Sequence, residues 1–564
     1  MSGSILTLAR RYATLILDFH RHTSSDVEKG GSSDEYQVFD LRDWLRSNFS
    51  NSSGEKGDGD DEERFSRKKL GVSWDNLTTI GTASMDLKVP TIPSMAVFEI
   101  IGPVFSILKT FGINPMKPKE RKLLQGFTGC ARPGEMVLVL GRPGSGCSTF
   151  LQTIANKHQN FIRVEGDVHY GGIDSKQMDQ KYRGQVVYCE EDDVHNATLT
   201  VARTIDFALR LKAPALNLPN QTRKSFRKLI RDALLKAFNI PHTKHTLVGS
   251  ATVRGVSGGE RKRVSIIEAL CSNATVLSWD NTSRGLDAST AYDYAKSMRT
   301  LTDFLQATMF ISLYQASEVI YNEFDKVLVI DDGRCVYYGP KDEARQYFIN
   351  LGFGDRPRQT TADYVTGCTD KYERIFQEGR DENNVPSTPE ALEAAYKGSD
   401  VCRRMIADKE AYDQEVNQNR EDYSRRFKDS VKHEKHGGTR GTSQYTVSWP
   451  QQVYALFLRQ MQMTLGDKFD IMMSYITSII LALVAGGVFF QLPQTSAGVF
   501  TRGGDIFILL LFSSLTAFAE LPTMMLGRPI LSKQSGFAFY RPSAQVVAAL
   551  LADLPFGVPR TTSE

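Results

Sequence analysis

MVLVLGRPGSGCST, residues 136 to 149, is an apolar run that turns into a glycine-rich segment and leads on into FLQTIAN. A strand, a glycine-rich turn and a helix start are how a phosphate-binding loop is built. Successive backbone N–H groups form a concave anion nest, and the helix N-terminus adds its dipole. The nucleotide-binding candidates are Gly141, Arg142, Pro143, Gly144, Ser145, Gly146, Cys147, Ser148 and Thr149. Gly141, Gly144 and Gly146 stand where such a loop needs glycines, and Ser148 stands where its hydroxyl would ligate Mg²⁺. Cys147 takes the place of the lysine. A neutral thiol cannot counter the β/γ-phosphate charge as an ammonium does, so the loop is expected to hold a nucleotide and catalyse poorly.

Two further stretches work outward from this one. VSGGERKR, Val256 to Arg263, precedes ATVLSWD, Ala274 to Asp280, an apolar strand ending in an aspartate placed to organise Mg²⁺, with Gly285-Leu286-Asp287 close behind. In this order the three resemble an ATP-binding cassette (ABC) ATPase. The resemblance implies an α/β P-loop nucleotide-binding domain with a helical subdomain, ATP and Mg²⁺ as cofactors, and Ser257, Gly258, Gly259 and Glu260 as the signature. VSGGE also reads as a capping box, Ser257 capping the helix that Glu260 closes. Both readings hold together, because a phosphate facing that helix end uses the same free N–H groups.

The length of 564 residues allows three or four domains, and 41% hydrophobic with 24% charged residues is the balance of a globular chain with some apolar excess. A net charge of +3 is too small to argue for nucleic acid. The cysteines (130, 147, 189, 271, 335, 368, 402) form no CxxC pair, which suits a reducing cytosol without a disulfide framework or zinc site. Sequons at Asn196, Asn220 and Asn273 fall within the nucleotide-binding stretch and read as unglycosylated coincidences. At the start, Arg10 and Arg11 split the apolar run, so a marginal helix is expected there rather than a cleaved targeting peptide.

Residues 1–69 are expected to form a disordered extension, too polar to bury a core, with Phe39 to Ser47 helical in spacing. The nucleotide-binding domain is assigned to 70–385. It opens on a β-rich lead-in from Gly71-Val72-Ser73-Trp74 through Lys122 to Phe127, and Gln185 to Tyr188 reads as a core strand running into the acidic CEEDDVH. Thr200 to Leu211 and Lys224 to Phe238 read as helices of the subdomain. The basic face of the second (Arg223, Lys224, Arg227, Lys228, Arg231) reads as a solvated surface. Met309 to Leu313 is a further strand, and Lys326 to Ile330 with Cys335 to Tyr338 form a hairpin through Asp332-Gly333.

Residues 386–468 read as a linker and connecting helix, charged and helical from Glu390 to Asp429, with KHEKHGG (432–438) a polar linker rather than a metal tract. A partial transmembrane domain, 469–564, is expected to hold two spans and the start of a third. Ile471 to Phe490 is uncharged and long enough to span, since about 20 apolar residues cross the hydrocarbon core. Ile506 to Phe518 continues through Glu520 toward Leu526, an acidic group at a depth that suggests a protein-facing position. Gln545 to Val558 begins a third stretch, broken by Asp553 and Pro555. The loop holding Arg528, Lys533 and Arg541 is positive and therefore cytoplasmic, the side of the ATP site.

With cassette first and spans second, the chain resembles the G-type ABC transporters, most closely the first half of a fungal pleiotropic drug resistance transporter. Cys147, SWDNTSRGLDAST (278–290), TTADYVTG (360–367) and RPILSKQSGFAFYRPSA (528–544) carry the likeness. The resemblance implies a degenerate first cassette. Glu191 stands where a glutamine would touch Mg²⁺, Asn281 follows Asp280 where a glutamate would polarise water, and Tyr314 replaces a histidine at the γ-phosphate. An amide cannot accept the proton. Ser148 and Asp280 remain as metal ligands. Because such cassettes pair head to tail, the signature would complete the ATP site of a second cassette, and the work implied is ATP-driven export of amphiphilic compounds from a multi-pass position, in the plasma membrane, with the cassette in the cytosol. The family's full transporters carry two cassettes and twelve spans, so the chain is expected to need a second cassette and transmembrane half, either as part of a longer product or as a truncated one. The alternative is a non-hydrolytic pseudoenzyme acting through a partner. A soluble ABC ATPase of DNA repair or translation conflicts with the uncharged Ile471 to Phe490 segment.

Overall fold

The computed structural model describes residues 68–82, 120–213, 222–441, 443–490 and 499–563. The extension up to Arg67, including Phe39 to Ser47 with its helical spacing, and the sequon at Asn220 lie outside them.

Ten strands form one sheet among the described residues. They are β1 (Val72–Thr82), β2 (Glu120–Ala131), β3 (Met136–Gly141), β4 (Arg163–Tyr170), β5 (Ile173–Asp174), β6 (Val186–Cys189), β7 (Val276–Trp279), β8 (Thr308–Ser312), β9 (Lys326–Asp331) and β10 (Arg334–Pro340). Their order is β5-β4-β1-β2-β10-β9-β3-β8-β7-β6. The half from β9 to β6 is parallel and the half from β5 to β2 antiparallel. Residues 136–140 are all buried, as a central parallel strand covered on both faces must be. Val137 pairs with Phe310 on one side and Lys326 on the other.

Aromatic packing closes the antiparallel half over the parallel one. Trp74 of β1 meets Phe150, Phe310 and Tyr338 edge-on, with ring centroids 5.8, 5.8 and 5.6 Å away. Such edge-to-face contacts add about 0.5–1.5 kcal/mol each beyond area burial. Phe150 belongs to the helix Cys147–Ile154 that follows the glycine-rich turn, so the lead-in strand braces that helix from behind.

The subdomain helices are Val201–Lys212, Arg223–Ala237 and Gly258–Leu270. Thr200 and Thr222 cap the first two through Arg203 N–H and Ser225 N–H. β9 and β10 form the antiparallel hairpin expected through Asp332 and Gly333, both with positive φ.

The segment read as linker behaves differently at its start. Helices Pro389–Lys397 and Asp400–Gln418 pack on β10 and β2. Tyr396 donates to Tyr338 O at 2.8 Å, and Asp408 accepts from Arg132 Nη2 at 2.9 Å and Lys326 Nζ at 3.0 Å. Leu392, Tyr396, Val401, Cys402, Tyr412 and Val416 recur at helical spacing and are buried, an apolar stripe that the charges between them obscure in sequence.

Beyond it lie Trp449–Gly466, Lys468–Val488, Val499–Leu526, Arg528–Gly536 and Pro542–Ser563. The third apolar stretch, interrupted in sequence by Asp553 and Pro555, lies on one helix that runs through both; a proline forfeits one helical hydrogen bond without ending the helix by itself. One expectation is corrected here. The positive loop is largely a helix, Arg528–Gly536, docked on the cassette. Among the described residues no helix is long and apolar enough to cross a membrane. The side chain of Glu520 lies outside the described residues.

Candidate nucleotide site

Parallel strands β3, β8, β7 and β6 end on one edge of the sheet, and the candidates gather there, where open α/β sheets bind ligands. After β3 the chain turns through Gly144 (φ +84°) and Gly146 (φ +114°), and Ser145 N–H donates to Arg142 O at 2.9 Å. Glycine is required at the left-handed positions. A Cβ on Gly141 would collide with Ser145 Oγ and come within 2.6 Å of Ile330 O, whereas one on Gly144 would meet nothing within 4 Å. The turn is thus packed against protein behind and open in front, a cradle of the shape a phosphate chain needs. Gly333 N–H holds Ser145 O at 2.7 Å, and Arg142 is tied to Asp331 at 2.7 Å. Pro143 and Ser148 are exposed, while Cys147 and Thr149 are half-buried. Burial pushes the Cys147 thiol up to about 11, with Ser145 Oγ 3.4 Å from its Sγ, so it is neutral at physiological pH.

Asp280, at the end of β7, is buried and doubly held: Tyr188 O–H donates to Oδ2 at 2.7 Å and Ser312 Oγ to Oδ1 at 2.9 Å. Tyr188 in turn accepts from Gln152 of the phosphate-loop helix at 3.2 Å. β6, β7, β8 and the loop helix are thereby joined through one carboxylate. Sequence reasoning did not find Tyr188 or Ser312 as its partners; they lie near the ends of strands flanking the aspartate, but only the register brings them to it.

Asn281 has φ +45°, its N–H donates to Ser312 Oγ at 2.9 Å, and its Nδ2 donates to Glu191 Oε1 at 3.1 Å. Its Oδ1 is buried without a partner. Glu191 also pairs with Arg284. The structure thus brings Glu191, Asp280 and Asn281 together. Tyr314, just past β8, is 68% exposed. Residues 147, 148 and 280 offer a thiol, a hydroxyl and a carboxylate; the hydroxyl and carboxylate suit a hard divalent cation, and the N–H nest suits the phosphates.

The signature helix Gly258–Leu270 starts with the capping box: Ser257 N–H donates to Glu260 Oε2 at 2.8 Å and Glu260 N–H to Ser257 Oγ at 3.3 Å. His242 lies 2.7 Å from Glu260 Oε1. The box leaves the Gly258 and Gly259 N–H groups for a ligand. Ser257 and Gly258 are exposed, and a Cβ on Gly258 would meet nothing within 4 Å.

The far end of the same helix is anchored by residues that sequence reading left unassigned. Glu268, fully buried, accepts from Lys533 at 2.7 Å and Gln534 Nε2 at 3.0 Å, and His195 Nδ1 lies 3.4 Å away. Burial alone would raise the Glu268 carboxyl, but the Lys533 ammonium holds it below its ordinary range. Burial and the Lys533 ammonium push the His195 imidazole down to about 3. His195 Nε2 lies 2.7 Å from Ser265 Oγ, which donates to Asp193 at 2.6 Å, so the acidic stretch after β6 is threaded along the signature helix.

Comparison with known proteins agrees with this geometry. The family of ABC transporter domains matches residues 124–284, and that of ABC-2 type transporter membrane domains matches 451–562. The chain is an ABC nucleotide-binding domain followed by an ABC-2 membrane domain. Among relatives, ABC multidrug transporter I of Aspergillus fumigatus is 45% identical over 95% of the chain and 36% of its own length. ABC transporter G family member 17 of Dictyostelium discoideum is 42% identical over 87% and 33%, and ABC multidrug transporter atrF of A. fumigatus 44% identical over 86% and 31%. The chain therefore belongs to the G-type ABC transporters, and it spans about a third of the length of these relatives.

Proposed function

We propose that this chain is the ATP-binding half of an exporter of amphiphilic compounds: it holds Mg-ATP at its own phosphate loop without turning it over efficiently, and it completes the hydrolysing site of a second cassette. The observation that carries this reading is the signature helix start, where Ser257 and Gly258 are exposed and a Cβ on Gly258 would meet nothing within 4 Å, while Gly259 is half-buried beside Gly285 O. A helix start left open in this way can receive an anion from another chain or domain.

On the other face, the phosphate-loop N–H groups would cradle the phosphates, Ser148 and Asp280 would hold Mg²⁺, and bound Mg²⁺ would supply charge neutralisation. Cys147 adds no charge, and Asn281, with its amide hydrogen given to Glu191, offers no carboxylate to take a proton from water. Glu191 and Tyr314 fill the remaining positions of an inactive face.

Membrane insertion in the plasma membrane rests on the ABC-2 match and on apolar side chains turned outward. Ile476, Ile479, Ile480, Leu483 and Val484 on one helix, and Phe507, Leu510 and Leu511 on the next, are exposed. Water would disfavour such a surface and lipid would not. Lys533 lies on the cassette side of these helices, and under the positive-inside rule this supports a cytosolic nucleotide site. The test is to purify the chain with and without an intact second cassette, measuring Mg-ATP binding and hydrolysis. Binding alone without the partner, and turnover with it, is expected; turnover near the median enzyme rate of about 10 per second by the isolated chain would overturn the reading.

A further inference from the structure

The KHEKHGG tract and the basic helix face take no part in the nucleotide site, yet the fold brings them together. His436 Nε2 lies 2.9 Å from Ala213 O, and Arg223 Nη1 lies 3.2 Å from His436 Nδ1. Arg223 and Arg227 act on this contact and Arg210 on Arg227, with Lys224 and Lys228 exposed on the same helix; no salt bridge to a carboxylate is formed by any of the five among the described residues. Arg231, on the same helix, differs: it pairs with Asp206 and Asp232 at 2.7 and 2.9 Å. The charges crowd one another. Burial, then Arg210 and Arg223, lower the Arg227 guanidinium, only partly offset by Asp206, and burial, then Arg223 and Arg227, lower His436 despite its hydrogen bond to Ala213. An anionic partner would relieve that repulsion. The neighbouring stretch 214–221, PALNLPNQ, contains no charged residue.

The chain itself delivers one. Lys68 lies 2.6 Å from Glu434 Oε1, two residues before His436, and also donates to Gln185 Oε1 at 3.2 Å. The backbone therefore leaves the described cassette beside the basic face. Counting back, Asp58, Asp60, Asp61, Glu62 and Glu63 put five carboxylates in six positions, and Glu63 is only five residues from Lys68. Five residues reach at most about 17 Å, and ten about 35 Å, from Lys68, which itself lies beside Glu434, two residues before His436.

We propose that the acidic run Asp58 to Glu63 docks on the basic face of Arg210, Arg223, Lys224, Arg227 and Lys228, tethering the helical subdomain to the N-terminal segment of its own chain. The contact is electrostatic and partly exposed. It is therefore strong at low ionic strength and weakens as the screening length falls from about 10 Å at 0.1 M salt to about 3 Å at 1 M. The tether is independent of which cassette hydrolyses ATP, so it can fail without touching the proposed function.

The test is zero-length carbodiimide coupling of the full chain, read by peptide mass spectrometry. Lys224 and Lys228 are exposed amines, and the ion pair between Lys244 and Asp232, 3.0 Å apart, serves as an internal control for a folded subdomain. Links from Asp58–Glu63 to Lys224 or Lys228 are expected at about 0.05 M salt. They should fall at least about tenfold near 1 M salt, where screening removes the attraction, and comparably in an Arg223→Glu/Arg227→Glu variant, which keeps both acceptor lysines. The proposal is overturned if the control link forms while the acidic run couples only to Lys56, Lys68 or Lys69. It is equally overturned if the double variant links as well as the parent, or if isotope-mixed samples show the links to run between two chains.

Discussion

The phosphate-loop face and the signature face both present helix N-termini with free backbone N–H groups, yet they treat side chains in opposite ways. At the phosphate loop the backbone is kept under tight steric control, Gly141 walled in by Ser145 and Ile330, while the groups that would do chemistry are a neutral thiol and an amide. At the signature the side chains are complete. The capping box is closed on both sides, the front is open, and the rear of the helix is locked by a buried carboxylate, Glu268. Holding a nucleotide needs mostly backbone and a cation site, so it survives loss of the reactive side chains. Serving another loop's phosphate needs a rigid, unblocked helix end, and that is what the second face retains.

The sharpest way to break this comparison is Gly258→Asp, measured with an intact second cassette supplied. The new Cβ meets nothing within 4 Å, and an acid in the first turn favours the helix dipole, so the chain should fold normally. The carboxylate would repel the incoming phosphate. ATP hydrolysis is expected to fall about a thousandfold, at the upper end of what losing one preorganised donor costs. Unchanged turnover would remove the signature from the mechanism.

Next in size is the rear anchor. Lys533→Ala leaves Glu268 buried beside His195 without its cation, and breaking such a pair costs about 3–5 kcal/mol. Thermal unfolding should show a large drop in midpoint. The double change Lys533→Met/Glu268→Gln, which leaves no buried ion, should recover part of it. If Lys533→Ala unfolds like the parent, the two ends of the signature helix are not held as described.

These residues also mark where sequence reading stopped. The phosphate loop, the signature and the Asp280 strand were legible because their chemistry is local: glycines at required φ, a capping box within four positions, an apolar strand ending in an acid. Tyr188, Ser312 and the Lys533–Glu268 pair were not, because their role is set by register and by partners separated by 265 positions in the last case. The helices Pro389–Lys397 and Asp400–Gln418 read as linker for a related reason. Their charged surface dominates the composition, and the buried stripe ending in Tyr412 and Val416 shows only once β2 and β10 are in place.

A smaller effect concerns acidity at the rear anchor. The folded His195 imidazole is held at about 3, below its ordinary 6.5, so the folded state favours the neutral ring. Its contribution to stability is complete above the unfolded value and is lost as pH falls from there toward 3. Glu268, also depressed, adds loss of the same sign at lower pH. Between pH 7.5 and 5.5 unfolding free energy should decrease by about 1.4 kcal/mol through His195, since one proton taken up on unfolding gives that slope per pH unit. A His195→Gln variant should flatten the profile over this interval, and a parent profile already flat there would contradict the buried neutral imidazole.

The smallest expected effect is at the residue that looks most obviously missing. Cys147→Lys restores an ammonium to the phosphate loop, but Asn281 still has no carboxylate and remains committed through its amide to Glu191, 3.1 Å away. Charge at the loop would improve phosphate binding without supplying a proton acceptor. With an intact second cassette supplied, ATP affinity at this chain's own site should rise while total turnover changes by less than about twofold, well under the tenfold that 1.36 kcal/mol off the barrier would give. Affinity and turnover therefore have to be measured on the same preparation. A severalfold rise in turnover with Cys147→Lys, set beside an unaffected Gly258→Asp, would mean that the phosphate-loop face is the working one and that the roles of the two faces are reversed.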